Sequence, residues 1–349
     1  MTSSLSRSTR GRLTGCASRV AVAATVAAAV LTTGLVAPAA SETAEGTTTV
    51  TATFPSKPAK VTRVTAGAEE VITGRVTGAA AGGRLVQVQS RGANGTWVAL
   101  TATRTKASGT FRVAAPTWWV AKQTLRVYVP ATDTSAAATS TNTGTLRVTR
   151  KTKVRPGTAY DLAAGADVRW NPCQPITYRL NTHLMPAGSR ADLKNVFAQV
   201  SAATGLRFTY VGTTTYVPFA NKTTTHPTNA DIVLAWSTPR SASVLAGSTA
   251  GRGGAVWASA GGVTELYDGQ AVFDATQRMS SARSEQRRLT RQLYLHEVGH
   301  IVGLDHVSDK RQIMYPTMQR TADAHYGAGD LAGLALLGAA RGCNSAGAR

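Results

Sequence analysis

Acidic residues are scarce in this sequence. Its 349 residues include 18 Asp and Glu against 38 Lys and Arg, a formal net charge of +20 at pH 7. Such an excess favours polyanionic partners, which include nucleic acid, an anionic cell-wall polymer and a membrane surface. No run of five Lys or Arg occurs, and no basic helix is interleaved with aromatic residues, so we predict no nucleic-acid binding. An anionic cell-wall polymer is a candidate partner, and a solvated basic surface without a partner is the simpler interpretation.

Acidic residues are missing altogether from the first 40 positions, which contain four Arg. This stretch leads into Val20–Ala40, an apolar run rich in Ala and Val that ends near Ala37-Pro38-Ala39. Small residues at that place are typical of a cleavage site, so we predict a signal peptide over residues 1–40 and a secreted protein. A single transmembrane anchor is the alternative, because the run approaches spanning length. Without this stretch the chain would carry 34 Lys and Arg against 18 Asp and Glu, a net charge of +16.

Cysteine is rare as well, and Cys16, one of three, lies in the predicted signal peptide. In an exported chain the remaining pair, Cys173 and Cys343, favours one disulfide bond. It would close a loop of 343 − 173 = 170 residues. Chain-entropy arguments value such a closure at roughly 4–5 kcal/mol. Two buried free thiols are the alternative.

Helical periodicity is missing from residues 41–150, which are rich in Thr and Val. Short alternating runs between Gly-containing turns predict an all-β sandwich there. Residues 83–111 resemble the immunoglobulin-like modules that are appended to exported bacterial proteins. The basic segment Lys151–Gly157 ends in a Pro-Gly break and predicts a linker over residues 151–158. The predicted strands are Glu70–Thr73, Arg84–Gln89, Thr96–Leu100, Thr110–Val113, Leu125–Val129 and Gly144–Val148. Within this domain we expect one of the adjacent Trp118 and Trp119 rings in the core and one on the surface; a carbohydrate platform is the alternative.

Residues 159–349 mix strand and helix patterns and predict a compact α+β domain. Apolar residues recur at helical spacing within Ala191–Thr204, and Gly205 ends that helix. Two further helices are predicted at Leu289–Gly303 and Asp330–Leu337. The predicted strands are Ile176–Leu180, Phe208–Val211, Ile232–Trp236, Gly253–Ser259 and Gln270–Phe273, the last two joined by a Gly-rich loop.

The segment Tyr294–Met314 contains the residues best suited to chemistry. His296 and His300 lie four positions apart, so on a helix both imidazoles can reach one metal ion. Leu295, Val298 and Val302 would face the core from the other side of that helix.

Beyond the helix, Gly303 can adopt a positive φ and turn the chain, so that His306 returns as a third ligand. His-Glu-x-x-His alone occurs by chance. The extended pattern with Gly303, His306 and the later Met314 is far more specific.

With these residues the sequence resembles the metzincins, and specifically the matrixins. Gly303–His306 and Met314–Pro316 read as matrixins do at those places. The resemblance implies a mixed twisted sheet with an active-site helix, one catalytic Zn²⁺ held by the three histidines, and a Met-turn at Met314. It implies an endopeptidase acting on polypeptides, in which zinc activates a water molecule and Glu297 serves as the general base.

The likeness extends upstream of the histidines. Gly253–Ala260 is similar to the matrixin segment that pairs with the substrate backbone, which predicts substrate contacts at Ala255, Val256, Trp257 and Ala258. Gly269–Asp274 resembles the segment that follows it.

This chain also departs from the matrixin pattern. Ser259 and Val272 stand where matrixins place histidines for a second, structural zinc, so we predict that this zinc is absent. Asp274 is a candidate Ca²⁺ ligand, although its usual acidic companions are missing. No cysteine remains to cap the zinc, and Tyr315 follows Met314 too closely to be a ligand. We expect a monomer.

Two other functions are compatible with the sequence. One is a cell-wall-binding protein in which the sandwich is the functional part and the metallodomain is ancillary. The other is a zinc amidase that acts on cell-wall peptides.

Overall fold

The computed structural model describes residues 46–55, 61–78, 80–151, 153–222 and 225–344. The predicted signal peptide lies outside these residues. Within the described ranges, no helix combines the length and the apolar character that a membrane crossing requires.

Residues 46–149, here called the N-terminal β region, form two sheets around one apolar core. A three-stranded sheet has the order β1-β3-β6, and a larger one has the order β2-β9-β7-β4-β5 with β8 beside β7. Both sheets contribute to the core, for example Ile72 and Val76 from the first and Val86 and Val127 from the second. The strands are β1 (Thr48–Thr53), β2 (Val61–Thr65), β3 (Val71–Gly78), β4 (Leu85–Arg91), β5 (Trp97–Arg104), β6 (Thr110–Ala114), β7 (Lys122–Val129), β8 (Ala138–Thr139) and β9 (Gly144–Thr149).

Three of these strands were not predicted. Alternating Thr residues give β1 and β2 little apolar contrast, and β8 is only two residues long. Trp118 and Trp119 differ from the expectation in another way: they lie in a turn between β6 and β7 rather than on a strand. Trp119 is buried and Trp118 is partly buried, so neither ring forms an open platform.

The rest of the described chain contains a five-stranded sheet of order β12-β11-β13-β15-β14. Its strands are parallel except for β14, which is antiparallel to β15 and forms one edge. The helices pack against this sheet around a core that includes Leu234, Phe273, Leu295 and Ile301. The elements are β10 (Asp161–Leu162), β11 (Ile176–Leu180), α1 (Ser189–Thr204), β12 (Phe208–Thr213), β13 (Ile232–Ser237), β14 (Gly251–Ala260), β15 (Val263–Asp274), α2 (Arg283–Val302), β16 (Leu304–Asp305) and α3 (Ala328–Leu336).

The edge hairpin is longer than predicted. Instead of two short strands and a Gly-rich loop, β14 and β15 continue to a tight turn at Gly261 and Gly262. Both glycines have positive φ, 57° and 78°, which is the conformation that two-residue hairpin turns require. The glycines therefore belong to the turn itself.

The disulfide between Cys173 and Cys343 is formed, with the two Cα atoms 5.5 Å apart. Its sulfur atoms lie in a small apolar cluster with Val98 and Trp119 of the N-terminal β region and Ala339 of the C-terminal segment. Backbone hydrogen bonds also link the N-terminal β region to the rest of the chain: Ala93 N donates to Ala340 O of the C-terminal segment (2.8 Å), and Val120 N donates to Ala202 O of α1 (2.9 Å). The disulfide thus holds the C-terminal segment where the N-terminal β region contacts it.

Candidate metal centre and active site

Helix α2 presents two different faces. Leu295, Val298 and Val302 are fully buried in the core, as their spacing predicted. His296 and His300 lie on the other side of the helix, where both rings face His306. Burial of the apolar face fixes the rotation of the helix about its axis. In that orientation the two imidazoles lie next to each other on the opposite face.

Gly303 ends α2 with a φ of 108°, and its N–H donates to the His300 carbonyl at 3.1 Å. The chain then forms β16, which pairs with β10 in antiparallel fashion. The Asp305 carboxylate accepts a hydrogen bond from the His306 N–H at 2.7 Å. This short strand pairing, together with the bend, returns His306 towards the other two histidines.

The three imidazoles converge. The Nε2 atoms lie 3.0 Å apart for His296 and His306, and 3.2 Å apart for each of the pairs that include His300. A tetrahedral zinc ion about 2.0–2.1 Å from each nitrogen would hold such atoms roughly 3.3 Å apart. Within the described residues this is the one cluster of His, Cys, Asp or Glu side chains with metal-ligand spacing.

The tautomers of two rings follow from their backbone partners. His296 Nδ1 lies 2.8 Å from the Ile313 carbonyl, and His300 Nδ1 lies 3.0 Å from the Leu304 carbonyl. A carbonyl oxygen can only accept, so each Nδ1 carries the proton and each Nε2 presents a lone pair. Facing lone pairs repel one another unless a cation lies between them. The donor set therefore fits a zinc ion.

The electrostatic environment keeps the rings neutral. Burial lowers the pKa of His300 to about 4, and the neighbouring His306 contributes to this shift. Burial likewise holds the pKa of His296 well below its usual value and lowers that of His306. Neutral imidazole is the form that binds a metal.

Glu297 is buried beside the start of β14. Burial raises the pKa of Glu297 to about 8, while a hydrogen bond from the Gly253 backbone and the positive charge of Arg252 oppose that rise. A Cβ atom at Gly253 would lie 2.6 Å from the Glu297 carbonyl oxygen, and one at Gly251 would lie 3.2 Å from a carboxylate oxygen. Only glycine lets β14 approach the helix this closely at Glu297.

We expect Gly253→Ala to lower kcat/KM for peptide cleavage by about tenfold or more, because the added methyl group must push β14 away from Glu297. Overpacking of this kind costs about 1–3 kcal/mol in stability. Gly254→Ala is the matched control, since its Cβ would meet nothing within 4 Å. Steady-state kinetics and thermal unfolding of both variants measure the effect. Equal behaviour of the two would contradict the close approach.

Met314 lies beneath the histidines and is fully buried. A Cβ at Gly299 would come within 2.5 Å of its sulfur, so the glycine between His296 and His300 makes room for it. The Asp330 carboxylate accepts hydrogen bonds from Ile313 N (2.7 Å) and Met314 N (3.2 Å). Asp330 therefore anchors the Met-turn to α3.

A cavity of about 70 Å³ opens beside His296 and Glu297. Its walls come from residues 248–251, from Leu293 and from residues 316–318 just after the Met-turn. The predicted substrate-contact residues Ala255, Val256, Trp257 and Ala258 lie further along β14, beyond the part that touches Glu297. Val256 and Trp257 are 45% and 44% exposed, so this half of the edge strand faces solvent.

The other sequence-predicted positions are engaged elsewhere. Val272 is buried in an apolar cluster with Ala242 and Leu245. Ser259 lies 2.7 Å from the Thr264 hydroxyl, across the hairpin. Asp274 uses one carboxylate oxygen to accept bonds from the backbone and hydroxyl of Thr276.

Sequence reasoning missed four contributors to the site. Gly253 was visible as a glycine at the start of the predicted strand Gly253–Ser259, and a strand glycine often marks a close approach of another element. Gly251 lay just outside that predicted strand, which begins two residues too late. Asp330 was assigned only to a closing helix, although an acidic residue near a helix start is a typical capping residue. The β10 strand, two residues long, has no sequence signal.

Residues 169–337 match the family model described as Matrixin. No curated protein matches the chain. The matched segment contains α2, the three histidines, Glu297 and the Met-turn, and its family uses a catalytic zinc. Residues 169–337 are therefore a matrixin-like catalytic domain, and the protein is a zinc metalloendopeptidase.

Proposed function

We propose that the protein is a secreted endopeptidase that cleaves polypeptides aligned along the β14 edge. One observation carries the proposal: three Nε2 atoms converge within 3.2 Å of one another, and the carboxylate of the next residue after His296 faces the edge strand. Secretion is supported by the leader pattern of residues 1–40 and by the disulfide, a bond typical of exported proteins.

The chemistry divides between the metal and the protein. When bound, zinc polarises the scissile carbonyl and acidifies a water molecule. Glu297 accepts the proton of that water and delivers it to the leaving amine. The Gly253 N–H orients the Glu297 carboxylate, and burial of His296 and Glu297 keeps bulk water away from the reacting groups.

Substrate alignment follows from the sheet edge. β14 pairs with β15 on one side only, so its other side offers backbone groups to an extended peptide. The side chain after the cut bond would enter the cavity lined by Leu293, Pro316 and Met318. The mostly apolar character of this wall favours an apolar side chain.

We also infer that the N-terminal β region is a β-sandwich of the immunoglobulin-like kind. Two sheets sharing a single apolar core support this assignment. None of its residues lines the cavity beside Glu297.

A mixed peptide library tests the proposal. We expect cleavage at internal bonds, faster in long peptides than in short ones because backbone pairing extends beyond the cut. Methylation of backbone N–H groups that face β14 should slow cleavage strongly, and methylation at alternate residues should not. Hydrolysis confined to terminal residues or to cell-wall amides would overturn the endopeptidase assignment.

A further inference from the structure

The N-terminal β region carries a row of like charges across three adjacent strands. Arg63 on β2 pairs with Arg147 on β9, which in turn pairs with Lys122 on β7. All three side chains are exposed. Neighbouring strands lie about 4.7–4.9 Å apart. Like charges directly opposite one another destabilise a sheet, so this row is a cost to the fold.

Acidic residues do not offset the row. Residues 61–151 contain twelve Lys and Arg against Glu69, Glu70 and Asp133, and these three acids lie in loops. No ion pair in the described part of the chain involves a residue of the N-terminal β region. The cations of the row are thus available to an external anion.

The charged surface extends beyond the row at both ends: along β7 towards Arg126, and along the chain that follows β9. Along the outer face of the sheet, Arg126 donates to Gln89 Oε1 at 2.9 Å and stacks 4.2 Å from the centroid of the Trp97 ring. Exposed Thr124 stands between Arg126 and Lys122 on β7.

On the other side of the row, the chain after β9 enters a crevice of about 760 Å³ between the N-terminal β region and α1. Four cationic residues line the crevice, and Asp323 is the single acid among its lining residues. These cations are Arg150, Lys151, Lys153 and Arg155.

We propose that this basic face, defined as the Arg63–Arg147–Lys122 row with Arg126 and the four crevice cations, binds a linear acidic polysaccharide. Charge complementarity selects a polyanion. The exposed Thr124 hydroxyl beside the cations suits the hydroxyl groups of sugars. Nucleic acid is disfavoured, because sequence-independent binders use open aromatic rings to stack bases, and here Arg126 covers Trp97.

Binding of the full-length protein to polygalacturonate, measured by calorimetry, tests the proposal. Neutralising the row with Arg63→Gln, Lys122→Gln and Arg147→Gln should weaken binding about tenfold, if each cation contributes as an exposed ion pair does. The matched control is Arg75→Gln, Lys106→Gln and Arg112→Gln, which removes the same charge from the other sheet, β1-β3-β6, and from the turn that leads into it. The control should bind as the parent does, and added salt should weaken binding of both.

Three outcomes would overturn the proposal: no binding by the parent, equal loss in both triple variants, or tighter binding to oligodeoxythymidylate than to polygalacturonate. A folding defect is recognised independently, because removal of the like-charge row should leave the melting temperature unchanged or raise it. Neutral dextran should not bind. The catalytic site takes no part in this experiment, so its result is separate from the peptidase assignment.

Discussion

Replacing Glu297 with Gln is expected to lower kcat for peptide cleavage by roughly 10²–10⁴-fold, the range for loss of a general base. The amide cannot take a proton from water, yet it has nearly the shape of the carboxylate and can still accept the Gly253 N–H. Zinc content should stay at one ion per chain, because His296, His300 and His306 are unchanged. Steady-state kinetics with elemental analysis on the same preparation measure both quantities.

The control for that variant lies on the same helix. Glu285→Gln makes the identical chemical change at a half-buried position away from the histidines, where the carboxylate contacts Ser280 and Arg320. Its activity should stay within about twofold of the parent, since surface ion pairs contribute little. If Glu297→Gln retained activity close to that of Glu285→Gln, the assigned role of Glu297 would be wrong.

Removal of the metal is the second change with a large expected effect. A chelator should abolish cleavage and lower the melting temperature of the catalytic domain. Zinc at about 100 times its dissociation constant contributes about 2.7 kcal/mol, which corresponds to roughly 5–10 °C for a domain of this size. Added zinc should restore both properties. Differential scanning calorimetry and a fluorogenic peptide assay provide the measurements.

Two histidine variants test whether the zinc-dependent rise in melting temperature comes from the three converging histidines. His300→Ala removes one of the converging nitrogens, so zinc should no longer shift the melting temperature. His183→Ala removes an exposed histidine that lies outside the cluster, and its zinc response should match the parent. A zinc-dependent shift of full size in His300→Ala would show that the ion binds at another place.

The sequence alone predicted that His296, His300 and His306 come together, because the relevant geometry is local. Two histidines four residues apart share a helix face. A glycine with positive φ then ends the helix and bends the chain, and the third histidine follows three residues later. The same reasoning predicted helix α1, whose apolar spacing ends at Gly205. The same reasoning did not predict β1 and β2, because threonines on both faces of these strands obscure the alternation of apolar and polar residues.

Only the tertiary structure determined which residues surround these three histidines. Gly253 contacts Glu297, and Asp330 holds the Met-turn, across separations that no periodic pattern spans. The basic row has the same origin, since Arg63, Lys122 and Arg147 become neighbours only through the strand order β2-β9-β7 and its register. Strand order and register depend on how the whole sheet buries its apolar face. Contacts between residues far apart in sequence therefore cannot be predicted from either local segment.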